Sequence, residues 1–115
     1  MNTLINEENW IPFLKEYSSR NENRPTRLGV FELSNGNAND FWLEDGMPLV
    51  AVDGYDDHGH VRIDLLFKDY AHPIENVTRI VDIESYGQDH GLDIADNGGR
   101  TTVLRFEDWP TRREE

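Results

Sequence analysis

Apolar and polar residues alternate along the segment 60–68. Its apolar side chains recur at every second position, namely Val61, Ile63, Leu65 and Phe67. The residues between and beside them are polar, with the exception of Leu66. A period of two is typical of a β-strand with one buried face and one face in water. We therefore predict a central strand of an antiparallel sheet here.

The segment near the N-terminus has a helical period instead. Its apolar residues fall at i, i+3, i+4 and i+7, on one face of a helix, and they are Trp10, Phe13, Leu14 and Tyr17. Asn6 and Asn9 are both candidate N-caps, but Asn9 is preferred because it places Pro12 in the first turn, where no hydrogen bond is lost. We predict a helix over about 10–19, with Trp10 docking it on the sheet.

The rest of the chain has strand character, interrupted by turn residues. We predict about seven short strands in all, over residues 27–34, 40–44, 48–53, 60–68, 77–84, 92–95 and 100–106. Asn35-Gly36 and Asp45-Gly46 are turn signals, and loops are expected at 53–59, 69–75 and 86–91. The predicted fold is α+β, an N-terminal helix packed on a twisted, mostly antiparallel sheet or half-barrel.

Length and composition indicate one folded domain. The 115 residues suit a single domain, with a core over about 8–106 and a charged tail at 107–115. Leu, Ile, Val and Phe make up 29 of the residues, which lies above the roughly one-fifth share typical of disordered, highly charged chains. We expect Trp109 to anchor the tail on the domain, and it is also a candidate interaction residue toward a second subunit.

The formal net charge is −12, from 23 acidic and 11 basic residues. This balance argues against non-specific nucleic-acid binding and against an anionic membrane surface, because both depend on Lys and Arg. There is no cysteine, and therefore no disulfide and no thiolate zinc site. The chain shows no signal-peptide pattern and no apolar run near the ~20 residues of a membrane span. We expect a cytoplasmic protein with a protein partner, or a homodimer.

The strongest local candidate for chemistry is the segment 56–60, Asp-Asp-His-Gly-His. In an extended chain, residues two apart point the same way, so His58 and His60 would both reach one divalent metal ion. Such a site needs a third ligand, and His72 and His90 are only distant candidates. A solvated turn explains the segment more simply. No cofactor is therefore expected, and a divalent metal is the alternative.

Other candidate groups have less support. The acidic loops lack the ligand spacing of a calcium-binding helix-loop-helix, and this includes Asp89, Asp93 and Asp96. No serine lies in a glycine-flanked elbow. Three carboxylates lie on predicted strands, namely Asp64, Asp82 and Glu84. They would shift one another's pKa values if they shared a cleft, although exposed ion pairs with arginines on neighbouring strands are the more ordinary outcome. Trp42, between Phe41 and Leu43, is expected in the core, but one of these three side chains should lie on the far face of the strand, as an interface patch or covered by the tail.

Three short motifs add a family resemblance. They are Trp10 with Phe13-Leu14 and Tyr17-Ser18, the segment 72–80 (His-Pro-Ile-Glu-Asn-Val-Thr-Arg-Ile), and the segment 99–106 (Gly-Arg-Thr-Thr-Val-Leu-Arg-Phe). On these motifs the chain resembles, over about 10–106, a family of small uncharacterised bacterial proteins, a domain of unknown function. The resemblance implies a compact stand-alone domain and no catalytic residues. The pair His58 and His60 is not among its recurring features.

No catalytic set is assembled by the sequence alone. The leading hypothesis is therefore a non-enzymatic, acidic binding or interaction domain, which would form a homodimer through an exposed strand edge. The alternative is a small metal-dependent enzyme that uses His58 and His60. A minor alternative is an acidic mimic of nucleic acid, which rests on net charge alone.

Overall fold

The computed structural model describes residues 2–34 and 37–108. In chain order they form β1 (Asn2–Leu4), a 3-10 turn (Glu7–Asn9), α1 (Trp10–Asn21), β2 (Pro25–Ser34), β3 (Asn37–Asp57), β4 (His60–Phe67), β5 (Tyr70–Ile74), β6 (Val77–Ser85), β7 (Gln88–Asp96) and β8 (Arg100–Phe106). Neighbouring strands are antiparallel, in the order β1-β6-β7-β8-β2-β3-β4-β5. The predicted α+β class, with an N-terminal helix and an antiparallel sheet, is confirmed. The sheet is open, with β1 and β5 as its edge strands.

β3 is one continuous strand with three β-bulges. Its first part pairs with β2, and its second part, from Leu49 onward, pairs with β4. At each bulge the pairing skips one residue of β3, and these residues are Leu43, Gly46 and Val50. A bulge adds twist and bends a strand. The predicted turn at Asp45-Gly46 is therefore wrong, since the strand continues through a bulge in which Gly46 has a φ of 85°.

Three hairpins of the described residues close through turns of only two residues. They are His58-Gly59 between β3 and β4, Lys68-Asp69 between β4 and β5, and Tyr86-Gly87 between β6 and β7. Both residues of the first and the last of these turns have positive φ values, as a type I′ turn requires. The longer loops predicted at 53–59 and 86–91 are wrong, because strand pairing continues through polar residues up to each turn.

The sequence pattern does not predict the two edge strands, β1 and β5. All three residues of β1 are exposed, and in β5 only Ile74 is buried, so neither strand has an alternating apolar pattern. β5 also contains Pro73, which suits an edge because it donates no hydrogen bond to a neighbour. The described residues form eight strands against the seven predicted, because β1 and β5 are added while two predicted strands merge into β3.

The inner face of the sheet is apolar, and the alternation in β4 supplies part of it. Ile63, Leu65 and Phe67 are buried, and Val61 packs against the same core. The prediction from the period of two is confirmed. None of the described helices is long and apolar enough to cross a membrane.

The apolar stripe of α1 faces this core. Its buried apolar side chains are Trp10, Leu14 and Tyr17. The indole N–H of Trp10 donates to the carbonyl oxygen of Ile5 over 2.9 Å, and the predicted docking of the helix through Trp10 is confirmed. Burial of one large apolar side chain contributes about 1.5–3 kcal/mol, so this stripe supplies much of the attachment of α1.

Polar contacts and a glycine bring α1 close to β3. The hydroxyl of Ser18 accepts the backbone N–H of Val52 over 2.7 Å and donates to the Val52 carbonyl oxygen over 3.0 Å. At Gly54, an added Cβ would lie 2.7 Å from the Cδ1 atom of Leu14. The absence of a side chain at Gly54 therefore lets the helix approach the strand.

A glycine in β7 provides a test of the packing between strands β7 and β8. A Cβ added at Gly91 would overlap the backbone carbonyl oxygen of Leu104 in the paired strand β8, and the φ of Gly91 is 156°. We expect Gly91→Ala to lower the free energy of unfolding by about 3 kcal/mol or more. Urea denaturation followed by circular dichroism measures this change.

Gly98→Ala is the matched control, since a Cβ at that turn position would come no closer than 3.4 Å to the Asp96 side chain. We expect it to change stability by less than about 0.5 kcal/mol. Equal urea midpoints for the two variants would contradict the described packing of β7 on β8.

Candidate functional site

The two histidines predicted as metal ligands lie at the turn between β3 and β4. The side chain of His58 is 95% exposed, and its Nδ1 atom lies 2.8 Å from the carboxylate of Asp57. His60 is exposed as well. Over 2–34 and 37–108, no third His, Asp or Glu side chain joins them in a metal-sized group. The metal site stays a prediction, and Trp109 lies outside the described residues.

A second candidate region lies on the outer face of the sheet, opposite α1. We define the outer patch as Arg27, Phe31, Trp42 and Leu43. The guanidinium carbon of Arg27 lies 4.1 Å from the centre of the Trp42 ring, and the rings of Phe31 and Trp42 meet edge to face at 5.8 Å. Trp42 is 42% exposed, so its predicted place in the core is wrong. The bulge at Leu43 leaves that side chain exposed too.

The outer patch continues across the sheet as a row of paired residues. From β1 to β3 the row consists of Leu4, Val81, Asp93, Val103, Gly29 and Trp42. Its one charged member, Asp93, forms an ion pair with Arg105 over 2.8 Å. The row is therefore mostly apolar, its members Val103 and Gly29 are buried, and its single carboxylate is already neutralised.

A third region lies on the inner face, where the β6–β7 hairpin approaches the end of α1. We define the carboxylate cluster as Asp82, Glu84 and Asp89. Asp82 and Glu84 are two residues apart on β6, and Asp89 pairs with Glu84 across the hairpin. One oxygen atom from each side chain lies within 4.8 Å of the others. Asp82 is buried, and the other two are partly exposed.

The last turn of α1 covers this cluster. Arg20 donates from Nε to the carboxylate of Asp89 over 3.0 Å. The side-chain amide of Asn21 donates to the same carboxylate and to the carbonyl oxygen of Tyr17, both over 2.9 Å. Arg24 donates to the backbone oxygen of Asp89 over 3.0 Å. The helix end therefore fixes Asp89 from three sides.

Arg24 also connects the cluster region with the end of β8. Its guanidinium bonds the carboxylate of Asp108 at 2.8 Å and lies 4.0 Å from the centre of the Phe106 ring. Phe106 in turn stacks with Tyr17, with ring centres 6.1 Å apart. These contacts hold Tyr17 between the core and the cluster.

The cluster contains buried polar atoms with incomplete hydrogen bonding. Within 2–34 and 37–108, the Tyr17 hydroxyl and the Oδ1 atom of Asp82 have no hydrogen-bond partner. Burial raises the pKa of Asp82 to about 6, with further contributions from the carboxylates of Asp89 and Glu84. Burial, together with Asp89 and Asp82, also raises the pKa of the Tyr17 hydroxyl. The phenol of Tyr17 therefore keeps its proton, and the three carboxylates of the cluster can bind either a proton or a cation.

Sequence analysis singles out Asp82, Glu84 and Asp89, but it does not predict that the three side chains lie close together. Asp82 and Glu84 are recognised as strand carboxylates, and Asp89 appears only in an acidic loop. Asp64, the third strand carboxylate, pairs with Arg62 over 3.1 Å, which agrees with the more ordinary expectation of a pair with an arginine. The usable signal is that Asp82 and Glu84 continue the face that Ile80 begins, which is the buried one.

Comparisons with family models, with curated proteins and with solved structures find no match to this chain. The resemblance to a bacterial family stays a prediction. A function is therefore inferred from the geometry of the chain itself.

The raised pKa of Asp82 predicts a pH dependence of stability. The unfolded chain releases this proton near pH 4, at about the ordinary value, and the folded chain releases it at about 6. The folded state therefore binds the proton more tightly, and the resulting stability is lost as the pH rises through about 6. We expect Asp82→Asn, which has no charge to bury, to be more stable than the wild type by about 1–3 kcal/mol at neutral pH.

Urea unfolding from about pH 4 to about pH 8, with a chelator present, measures this difference. We expect the advantage of Asp82→Asn to disappear toward pH 4. Asp69→Asn, at an exposed turn position, is the control and is expected to show no such trend. A constant difference between Asp82→Asn and the wild type at every pH would contradict the raised pKa.

Proposed function

We propose that the chain is a non-enzymatic interaction domain that binds a second copy of itself through the outer patch. The observation that carries the proposal is the exposed arrangement of Arg27, Trp42 and Phe31 on a face that α1 does not cover. Tryptophan and arginine are enriched among the residues that contribute most to protein interfaces. Exposed apolar surface of this kind often marks a binding site.

The row that extends the outer patch supports a face-to-face contact. At the far end of this row Leu4 is 60% exposed and Val81 is partly exposed, whereas Val103 and Gly29, between them and Trp42, are buried. The ion pair between Asp93 and Arg105 removes an unpaired charge that would otherwise need desolvation. A two-fold axis through such a surface places the same patch on both copies, which is the usual symmetry of dimers.

Arginines on the outer face offset part of the acidic charge of the chain. Two chains of charge −12 repel each other. On the paired strands β2, β6, β7 and β8, the outward positions carry three arginines and one carboxylate, namely Arg27, Arg79, Arg105 and Asp93, and Asp45 of β3 pairs with Arg27. A second acidic chain therefore meets arginines as well as carboxylates on this face.

The strand edges are less suited to this role. β1 has only three residues, and β5 contains Pro73, which cannot donate to an added strand. The proposal therefore places the contact on the sheet face, whereas the sequence-based hypothesis placed it on an edge.

Sedimentation velocity of the full chain over a wide concentration range tests the proposal. We expect a monomer–dimer equilibrium that tightens when salt is added, because salt screens the repulsion between the acidic chains. Trp42→Ala removes the central aromatic side chain and is expected to weaken dimerisation by about thirtyfold.

Tyr86→Ala is the matched control, because Tyr86 is 94% exposed at the tip of the β6–β7 hairpin and lies outside the outer patch. We expect its dimerisation to equal that of the wild type. A chain that ends at Asp108 tests for a contribution from Trp109. A wild type that is monomeric at every concentration, at low and at high salt, would overturn the proposed function.

A further inference from the structure

Two polar atoms without hydrogen-bond partners face the carboxylate cluster. Among residues 2–34 and 37–108 they are the hydroxyl of Tyr17 and the Oδ1 atom of Asp82. Tyr17 is fully buried, and Asp82 is 7% exposed. Most buried polar groups in folded proteins have a partner, so each exception requires an explanation such as a bound ion or water.

The spacing of the cluster fits a single cation. One oxygen atom each from Asp82, Glu84 and Asp89 lies within 4.8 Å of the others. Oxygen ligands of one calcium ion lie no more than about 4.8 Å apart, since each Ca–O distance is about 2.4 Å. We propose that Asp82, Glu84 and Asp89 bind one hard divalent cation of the Ca²⁺ or Mg²⁺ class.

The chemistry of the donors selects this class of ion. The three carboxylates offer only oxygen, which suits Ca²⁺, Mg²⁺ and Mn²⁺ and gives no advantage to metals that prefer nitrogen or sulfur. Glu84 and Asp89 are partly exposed, so an ion can enter and keep some of its water ligands.

Tyr17 lies outside the cluster, and its buried hydroxyl without a hydrogen-bond partner is a second, independent indication of a ligand. The guanidinium carbon of Arg20 lies 5.5 Å from the centre of the Tyr17 ring, and Nε of the same arginine donates to Asp89, which places the tyrosine side chain beside the site. Burial and, after it, the nearby carboxylates raise the pKa of its hydroxyl, which therefore stays protonated. Its buried O–H group therefore acts as a donor, either to a water on the cation or to a carboxylate that binds the cation.

The charge in the region is consistent with a cation. Three carboxylates meet in the cluster, and Arg20 contributes one positive charge to it through Asp89. Arg20 divides its guanidinium between Asp89 and the exposed carboxylate of Glu16 at 2.8 Å. A divalent ion would supply two further positive charges where carboxylates are partly removed from water.

This site goes beyond the proposed function and is independent of it. The cluster lies on the inner face of the sheet beneath α1, whereas the outer patch lies on the opposite face. Cation binding and dimerisation can therefore succeed or fail separately.

Isothermal titration of the full chain tests the site. The protein is first freed of metal with a chelator and is then titrated separately with CaCl₂, MgCl₂ and MnCl₂ at neutral pH. We expect saturable binding of one ion per chain for at least one salt. Asp82→Asn is expected to abolish this binding, and Tyr17→Phe to weaken it by about tenfold.

Asp69→Asn is the matched control, because it removes the same formal charge from an exposed turn and is expected to bind like the wild type. Circular dichroism confirms that each variant is folded. The absence of saturable binding in the wild type, or equal binding by Asp82→Asn, would overturn the proposal.

A second measurement locates the ion without any substitution. Paramagnetic Mn²⁺ broadens nuclear magnetic resonance signals of nearby residues, and we expect the broadening over the end of α1 and the β6–β7 hairpin. Broadening centred on His58 and His60 would overturn the proposal in favour of the alternative site. Broadening spread evenly over acidic turns would overturn it as well, because it would indicate non-specific attraction to the charge of −12.

Discussion

The burial of α1 against the inner face of the sheet determines where the polar groups of this chain meet. Trp10 and Leu14 anchor the first part of the helix in the core, and Ser18 connects its middle to the backbone of Val52. Because the helix is held in this position, its last turn reaches the β6–β7 hairpin. Without that packing, nothing would hold Tyr17, Arg20 and Asn21 beside Asp89.

The bulges of β3 have a comparable effect on the outer face. Each bulge adds a residue to β3 without a partner in the neighbouring strand and increases the local twist. The strand can therefore pair with β2 and then with β4 while the sheet curves. The same irregularity leaves Trp42 and Leu43 both exposed. In this way the curvature of the sheet and the exposure of the outer patch have one structural cause.

Sequence periodicity predicts those parts of the fold in which apolar burial dominates. The strand β4 and the helix α1 follow their periods of two and of about 3.6 because one face of each lies in the core. β1 and β5 are at edges, where pairing is decided by backbone hydrogen bonds, and their side chains carry little pattern. The strand through Asp45-Gly46 could not be predicted either, since a strong turn signal there forms a bulge.

The candidate sites show the same limit more sharply. The pair His58 and His60 is visible in sequence because the residues are close along the chain, yet they lie in an exposed turn. The carboxylate cluster depends on the hairpin register that pairs Glu84 with Asp89 and on Asn21 of the helix, which lies 68 residues before Asp89. A local pattern contains neither piece of information, so only the fold could bring Tyr17 to Asp82.

Asp82 occupies a position where a carboxylate lowers the stability of the fold. Within β6 it occupies a buried position on the same face as Ile80, where an apolar or neutral side chain would avoid the desolvation of a charge. A carboxylate whose pKa is raised to about 6 is a group that the fold alone does not need. Residues that oppose stability in this way are concentrated at functional sites, because activity requires groups that packing would exclude. The inner face of the hairpin is therefore the place where this sequence departs most clearly from what the fold requires.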